Sequence, residues 1–277
     1  MTTAIGAALK SLSGRLAQQT REVSTTETSG SGRRTPYDTQ WGECPKHGRY
    51  KAYWVDDGGT FHFDTCPGCR CQAEVARSLE IAIPPRFRGV TVASFECFSE
   101  PMKRAKESIV AWGREADVSI ARGRSFIFTG DAGTGKTHMG AALVALALRS
   151  AYTAKMLTAS ELISSICQTY DKAPGSAERT ASVKQAYFDL DLLVIDELGR
   201  SPVSAHGADL LFEVINRRYE QCRPTVLISN LPLVADGDGL SITSLIGDAA
   251  VSRLLDGGRV IAFDWEDYRR REKKEAA

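Results

Sequence analysis

The sequence predicts an α/β fold in which a parallel β-sheet is flanked by helices, with a small cysteine-bearing module before it. Three observations support this prediction. A glycine-rich loop at residues 130–137 lies between a short apolar segment and a helix rich in Ala and Leu. Later apolar segments alternate with helical ones, as strands and crossover helices do in parallel sheets. Four of the seven cysteines fall within residues 44–71.

The composition fits one domain of ordinary size and one smaller module. The chain has 277 residues, 43% of them hydrophobic, and a formal net charge of +1. This charge gives no sign of a basic surface over the whole protein, although local patches could still bind nucleic acid. The longest apolar run, near residues 140–148, is far shorter than the ~20 residues that span a bilayer, and the start lacks the features of a signal peptide. We therefore expect a cytoplasmic protein that does not enter the membrane.

Residues 1–40 are predicted to be a helix followed by a linker. In residues 1–20 the spacing of Ile5, Leu9 and Leu16 predicts an amphipathic helix, with a frayed terminus as the alternative. If nothing in the chain covers its apolar face, such a helix would bind in the groove of a partner. Residues 21–40 are mostly polar, which predicts a flexible linker.

Residues 41–80 are predicted to form a zinc-ribbon-like module. Two pairs of potential ligands, each spaced by two residues, flank segments 50–55 and 60–63, which can form a β-hairpin. Structural Zn²⁺ takes four ligands in a tetrahedron, and the expected ligands are Cys44, His47, Cys66 and Cys69, with Cys71 and His62 as substitutes. Four protein ligands leave no open position, so this zinc would stabilise the module rather than catalyse a reaction. Cysteines without a metal are the alternative interpretation.

Residues 130–137 match G-x-x-x-x-G-K-[ST] at every specified position, which is typical of a loop that surrounds the phosphates of a nucleotide. The N–H groups of such a loop point at phosphate oxygens, Lys136 reaches the β- and γ-phosphates, and the Thr137 hydroxyl binds Mg²⁺. The setting agrees, because residues 125–128 predict a buried strand and residues 139–149 a helix. We therefore predict a site for a nucleoside triphosphate and Mg²⁺.

The segments around this loop are predicted from their hydrophobic spacing. Pro84 and Pro85 should end any helix that runs over residues 72–81. One helix is expected over residues 101–117, and its inward-facing residues are Met102, Ala105, Ile109 and Trp112. After the loop we expect a strand at 154–157, a capping box at 158–161, a helix at 161–170, a loop at 172–180 and a short helical turn at 181–188.

A pair of acidic residues at the end of a buried strand indicates catalysis. The strand at residues 192–195 is followed by Asp196, which can hold Mg²⁺, and Glu197, which can polarise the attacking water. Two carboxylates at one strand end are costly without a cation, which argues against a purely structural role. A fourth strand at residues 225–228 ends shortly before Asn230, which can orient that water or contact the γ-phosphate. The alternative role for Asn230 is that of a turn former.

These motifs occur in the order found in one group of bacterial ATPases. The loop at 130–137, Leu-Leu-Val-Ile-Asp-Glu-Leu-Gly at 192–199, Leu-Ile-Ser-Asn at 227–230 and Ser-Arg-Leu at 252–254 resemble the AAA+ replicative helicase loaders of the DnaC and DnaI group, and their relative IstB. The resemblance covers residues 84–271 and implies a P-loop AAA+ domain there, with residues 272–277 as a tail.

The resemblance also implies roles for individual residues. Those implied to bind ATP are Gly130, Asp131, Ala132, Gly133, Thr134, Gly135, Lys136, Thr137 and His138. Those implied to act in catalysis are Lys136, Asp196, Glu197, Asn230 and Arg253, with Thr137 and Asp196 holding Mg²⁺. Arg253, expected after a small-residue helix at 247–251, would be an arginine finger for a neighbouring subunit, with a surface salt bridge as the alternative. Use in trans implies an ATP-dependent, head-to-tail homo-oligomer.

The partners that the resemblance implies are a hexameric replicative helicase and single-stranded DNA. Residues 1–80 are expected to bind the helicase, with the zinc module as the rigid part. DNA is expected at residues 170–188, where charge and an aromatic ring come from Lys172, Arg179, Lys184 and Tyr187, with a disordered loop as the alternative. The implied function is a slow, switch-like ATPase that loads the helicase at replication initiation. Two other interpretations are an IstB-like transposition helper and a zinc-based adaptor whose nucleotide site is vestigial.

Overall fold

A computed structural model of the chain describes residues 40–45, 48–55, 61–63, 66–170, 175–235, 237 and 239–268. The helix expected at residues 1–20, the linker before residue 40 and the tail at 272–277 lie outside the described residues. The chain divides into two compact units with a boundary between Ser78 and Leu79. Within the described part of the chain, no helix is both long and apolar enough to span a membrane.

The small unit contains a three-stranded antiparallel sheet. Its strands are β1 (Gln40–Cys44), β2 (Gly48–Val55) and β3 (Phe61–Phe63), in the order β1-β2-β3. The antiparallel pairing of β2 with β3 confirms the predicted hairpin, whereas β1 was not predicted. Helix α1 (Pro67–Ala82) begins five residues before the expected start, because proline is well suited to the first position of a helix.

The large unit is built on a five-stranded sheet in which every pairing is parallel. The strands are β4 (Phe126–Thr129), β5 (Ala154–Thr158), β6 (Leu192–Leu198), β7 (Thr225–Ser229) and β8 (Arg259–Ala262), in the order β5-β6-β7-β4-β8. The predicted parallel sheet is therefore confirmed. The strand that precedes the glycine-rich loop, β4, lies between β7 and β8. The loop therefore follows an interior strand of the sheet and not an edge strand.

Helices cover both faces of this sheet. They are α2 (Glu100–Arg114), α3 (Ala116–Ala121), α4 (Lys136–Arg149), α5 (Ala159–Cys167), α6 (Ser176–Phe188), α7 (Ala205–Glu220), α8 (Ile242–Ile246) and α9 (Asp248–Leu255), with a 3₁₀ turn at Pro85–Phe87. Leu192 and Val194 of β6 face a core that includes α2 and α4, while Leu193 and Ile195 face a second core that includes α5, α7 and α9. The alternation follows from the two-residue period of a strand, and it explains why the strands are apolar throughout.

Several helices of the large unit also differ from their predicted bounds. The helix expected at residues 101–117 ends at Arg114 and restarts at Ala116, because Glu115 leaves helical geometry with φ −107° and ψ 36°. The predicted capping box of Thr158 and Glu161 is present, but its helix α5 ends at Cys167 instead of residue 170. Helix α6 begins at Ser176, so the loop predicted for residues 176–180 is wrong. The first turns of α6 carry small and charged side chains, so the sequence there lacks the helical spacing of apolar residues that would predict a helix.

A fully buried guanidinium joins three segments of the second core. Arg218 donates hydrogen bonds to the backbone oxygens of Tyr187, Leu190 and Pro224, each at 2.7 Å, and to the Thr225 hydroxyl at 2.9 Å. Burial lowers the pKa of Arg218 to about 9, so the side chain is still cationic at neutral pH. It links the end of α6 and the residues that follow it with Pro224 and the start of β7.

Candidate functional site

The backbone of the glycine-rich loop requires its glycines. Gly130, Gly133 and Gly135 have φ values of +122°, +83° and +95°, which side chains rarely adopt. A Cβ at Gly130 would lie 2.3 Å from the backbone oxygen of Phe263, and one at Gly135 would lie 2.5 Å from the ring of Phe95. The loop therefore has both the conformation and the close contacts that only glycine permits.

Lys136 opens helix α4 and reaches back into the loop. Its ammonium group donates to the backbone oxygens of Gly130 and Asp131, each at 2.6 Å, and its side chain is buried. Burial lowers the pKa of Lys136, while the negative charges of Asp196 and Asp131 oppose that shift. The structure thus places a partly desolvated cation at the centre of the loop, where it can contact phosphate oxygens.

The two residues predicted to hold Mg²⁺ lie close to each other. Asp196 is buried near the end of β6, and the Thr137 hydroxyl at the start of α4 is near enough to lower the pKa of its carboxyl. Burial raises the pKa of Asp196, and the hydrogen bond from the Glu197 N–H, at 2.7 Å, and the nearby Thr137 hydroxyl oppose the shift. A carboxylate and a hydroxyl on neighbouring elements fit Mg²⁺, which prefers oxygen ligands. A cation there would stabilise the carboxylate that burial disfavours.

Replacing Asp196 with Asn is expected to stabilise the nucleotide-free protein at pH 7 by about 0.5–2 kcal/mol, while removing Mg²⁺-dependent nucleotide binding. The pKa of Asp196 is higher in the folded protein than in the unfolded chain, so its ionised carboxylate lowers the free energy of unfolding at pH values above the folded-state pKa. This destabilisation disappears as the pH falls below that pKa. Urea unfolding of both proteins at pH 7 and at acid pH measures this difference. A variant that is no more stable at pH 7 would contradict the prediction.

Glu197 has a strained backbone conformation at the exposed edge of the sheet. Its φ is +57°, and the pairing of β6 with β7 shifts register between Ile195 and Leu198. A left-handed conformation costs a residue with a side chain about 1 kcal/mol, so it is retained where function or packing requires it. The half-exposed carboxylate of Glu197 forms an ion pair with Arg200. The backbone of Glu197 therefore leaves the regular β6–β7 pairing immediately after Asp196.

Asn230 lies at the same edge of the sheet, directly after β7. The Ser229 hydroxyl donates to the backbone oxygen of Leu198 at 2.7 Å and accepts from the N–H of Leu231 at 3.0 Å, which fixes this turn. Asn230 itself is exposed. Because β7 lies between β6 and β4, the structure brings Asn230, Glu197 and the glycine-rich loop to the carboxyl ends of three adjacent strands.

Arg253 lies within helix α9, which continues to Leu255, and not after a helix that ends at residue 251 as predicted. Its guanidinium donates to the backbone oxygen of Ala249 at 3.0 Å and lies 5.1 Å from the ring centre of Phe212. Both contacts are with the surface of its own subunit, and they orient the side chain along the α7–α9 face.

The ring of His138 contacts the segment before α2. Its Nε2 lies 3.2 Å from the backbone oxygen of Thr91 and 3.2 Å from the Ser94 hydroxyl, and the ring packs edge-on against Phe95. Burial lowers the pKa of His138, so the ring is neutral at pH 7. His138 therefore ties the first turn of α4 to residues 91–95.

Three of the cysteines predicted to bind zinc form a cluster. The sulfur atoms of Cys44, Cys66 and Cys69 lie within 4.8 Å of one another, and Cys44 and Cys69 are 3.6 Å apart. Zinc–sulfur bonds of ~2.3 Å in a tetrahedron separate the sulfurs by ~3.8 Å, so these residues fit Zn²⁺. His47 and the side chain of His62, the candidates for the fourth ligand, lie outside the described residues.

Cys71 is not a member of this cluster, as far as the described residues go. Helix α1 begins right after Cys66, so Cys69 and Cys71 lie two positions apart in the same helix. Such positions are rotated by about 200° and point to different sides of the helix. The helix thus disfavours Cys71 as the substitute ligand.

The segment predicted to contact DNA is only partly suited to that role. Tyr187 is 4% exposed and its hydroxyl lies 2.8 Å from that of Ser165, so its ring cannot stack on a base, and this part of the prediction is wrong. Lys184 is paired with Glu213 at 2.6 Å, and Lys172 lies outside the described residues. Arg179 is exposed on α6. The sequence does not distinguish a buried tyrosine from an exposed one at this position, because the local pattern of residues is the same in both cases.

The large unit resembles known ATP-binding proteins. Residues 91–276 match the family model for the IstB-like ATP binding protein. The replicative helicase loader DnaC of Escherichia coli (strain K12) is 27% identical over 190 residues, which cover 68% of this chain and 73% of DnaC.

Solved structures show the same fold. The crystal structure of the DnaC helicase loader has a TM-score of 0.55 at 19% identity, covering 65% of this chain and 99% of that one. AMPPCP-bound DnaA from Aquifex aeolicus has a TM-score of 0.54 at 19% identity, covering 70% of this chain and 55% of DnaA. These likenesses confirm the predicted P-loop AAA+ fold class.

Proposed function

From the premise that the chain belongs to the family of IstB-like ATP-binding proteins, we propose that it hydrolyses ATP in order to load the replicative DNA helicase onto single-stranded DNA. The observation that carries the proposal is the similarity to a replicative helicase loader over 68% of the chain. The site geometry supports it, since the glycine-rich loop, two acidic residues and Asn230 meet at one sheet edge.

Different residues of this chain would have different roles in ATP hydrolysis. The loop N–H groups and Lys136 bind the phosphates, and Thr137 with Asp196 would hold Mg²⁺, which neutralises charge on the β- and γ-phosphates when bound. Glu197 orients and polarises the attacking water, and Asn230 contacts that water or the γ-phosphate. Arg253 of a neighbouring subunit stabilises the charge that develops on the γ-phosphate, which makes hydrolysis depend on a head-to-tail oligomer.

The small unit is assigned to helicase binding. Three sulfur atoms with the spacing of zinc ligands support a structural Zn²⁺ that holds β1 and the start of α1 together. Residues 41–80 would form this module, residues 1–20 a helix that binds the same partner and residues 84–271 the ATPase. Arg179, which is exposed on α6, would contact single-stranded DNA.

The test is a loading reaction with the replicative helicase of the same organism. Wild-type protein with ATP is expected to co-elute with the helicase and to start unwinding of DNA coated with single-strand binding protein. Lys136→Ala should abolish loading, and Cys66→Ser should lose zinc and helicase binding but keep nucleotide binding. Co-elution with a transposase and not with the helicase would favour an IstB-like transposition helper. Helicase binding without nucleotide binding would favour the zinc-based adaptor.

Replacing Arg200 with Ala is expected to raise basal ATP hydrolysis, because the Arg200–Glu197 ion pair competes with the attacking water for the Glu197 carboxylate. The pair is largely exposed and worth at most about 1 kcal/mol, so the rate should rise by no more than about five-fold. Steady-state phosphate release at saturating ATP measures the effect. A rate that falls would mean that Arg200 supports Glu197 instead of restraining it.

A further inference from the structure

Residues 263–268, here called the C-terminal strap, form hydrogen bonds to two successive peptide oxygens of the glycine-rich loop. The indole Nε1–H of Trp265 donates to the backbone oxygen of Thr134 at 2.9 Å. The backbone N–H of Tyr268 donates to the backbone oxygen of Gly133 at 3.1 Å. Both oxygens therefore face the strap on the outer side of the loop.

These two bonds also orient the N–H groups of the loop. In a planar trans peptide the C=O of one residue and the N–H of the next point in opposite directions. With the oxygens of Gly133 and Thr134 held by the strap, the N–H groups of Thr134 and Gly135 point away from it. In loops of this motif, N–H groups such as these bind the phosphate oxygens.

The loop would not hold this orientation by itself. Gly133 and Gly135 each border one of the two peptides, and glycine readily adopts the conformations on either side of a peptide flip. The Thr134 hydroxyl is already used, since it donates to the backbone oxygen of Asp131 at 2.8 Å. The bonds from the strap are thus what selects one peptide orientation over the other.

The strap is itself held firmly by the sheet. The N–H of Phe263 donates to the backbone oxygen of Thr129 at 2.8 Å, which extends the β4–β8 ladder. The buried ring of Phe263 lies 4.9 Å from that of Trp265, and the ring of Tyr268 stacks on Phe98 at 5.9 Å. A rigid support is required if a hydrogen bond is to align a flexible loop.

The side chain of Asp267 in the strap lies directly against Gly133. A Cβ built at Gly133 would lie 1.9 Å from a carboxylate oxygen of Asp267. A side chain at position 133 would therefore have to displace that carboxylate as well as adopt a φ of +83°. The strap thus approaches the loop closely at one of the two peptides whose oxygens it binds.

We propose that Trp265 is a positioning residue for nucleotide binding: its indole N–H aligns the Thr134–Gly135 peptide so that loop N–H groups point at the phosphates before ATP arrives. The proposal rests on ATP binding, and it does not depend on helicase loading. It predicts that losing one N–H, with the ring retained, weakens the binding of the phosphates specifically.

The experiment replaces Trp265 with 3-benzothienylalanine, which keeps the shape of indole but has sulfur in place of the N–H. The same replacement at Trp112 is the matched control, because its indole N–H donates to the backbone oxygen of Arg124 at 2.8 Å in the same unit. Affinities for MgADP and for inorganic triphosphate are measured on the isolated full-length chain. Amide ¹H–¹⁵N spectra report the Thr134 and Gly135 N–H groups directly.

The variant at Trp265 is expected to bind MgADP and triphosphate about five- to ten-fold more weakly, with altered Thr134 and Gly135 amide signals. The control variant should keep wild-type affinity despite losing a similar bond. Unchanged affinity at Trp265, or an equal loss in both variants, would overturn the proposal. If the unnatural residue prevents folding, Trp265→Phe with the same measurements decides the question. Because neither helicase nor DNA is present, a failure of the loading function cannot be mistaken for a failure here.

Discussion

Replacing Arg218 with Met is expected to lower the free energy of unfolding by about 3–5 kcal/mol, a large part of the stability of a typical domain. The fully buried guanidinium serves five acceptors, at Tyr187, Phe188, Leu190, Pro224 and Thr225. Methionine fills much of the same volume but offers no donor. Buried oxygens that lose their partner cost about 1–3 kcal/mol each, and partial rearrangement should reduce the sum.

Arg217 provides the matched control for this prediction. It is the neighbouring arginine on α7, but its side chain is 59% exposed and pairs with Glu220 at 3.3 Å. Arg217→Met should change the free energy of unfolding by less than about 0.5 kcal/mol. Urea unfolding of both variants gives the comparison. Similar values for the two variants would show that the buried hydrogen bonds of Arg218 contribute little.

Arg218→Lys separates the geometry of the guanidinium from its charge. A lysine ammonium has three donors on one atom, so it cannot reach acceptors that lie on different sides of a planar guanidinium. It should recover only a minor part of the stability lost in Arg218→Met. Full recovery would mean that a buried positive charge is sufficient at this position.

The predictable parts of the fold are determined by residues that lie close together in the sequence. The glycine-rich loop needs glycines where φ is positive and a lysine at the start of the next helix, so its motif can be read directly. The apolar segments before Asp196 and Asn230 are strands as predicted, although β6 continues through Asp196 to Leu198. Because parallel strands bring their carboxyl ends to one edge of the sheet, the two polar residues were expected at the same edge. Hairpin β2–β3 is predicted by the two short segments that lie between the pairs of potential zinc ligands.

The features that the sequence does not predict depend on contacts between residues that are far apart in the chain. Trp265 contacts a backbone oxygen 131 positions earlier, and no local pattern marks a donor for a peptide group. Arg218 lies in an amphipathic helix, where an arginine is usually exposed. Glu197 adopts a left-handed conformation that its residue type does not predict. In each case the tertiary packing, and not the local preference, decides the conformation or the burial.

Replacing Arg253 with Ala is expected to reduce ATP hydrolysis about 10³-fold while leaving nucleotide affinity and stability nearly unchanged. The contacts of Arg253 with Ala249 and the ring of Phe212 are weak and partly exposed, so their loss should cost about 1 kcal/mol at most. The large effect is expected because, in the proposed head-to-tail oligomer, the guanidinium of one subunit would stabilise charge on the γ-phosphate held by the next. Phosphate release, nucleotide binding and thermal unfolding measure the three quantities separately.

A mixing experiment decides whether Arg253 acts across a subunit interface. Arg253→Ala keeps an intact nucleotide site, whereas Lys136→Ala keeps an intact arginine but binds phosphates poorly. Each variant should be inactive alone, and an equimolar mixture should recover a measurable share of wild-type hydrolysis, because some interfaces then combine a working site with a working arginine. If Arg253 acted within its own subunit, or only supported helix α9, no mixture would contain a complete site. An inactive mixture, with assembly confirmed by light scattering, would therefore rule out the role in trans.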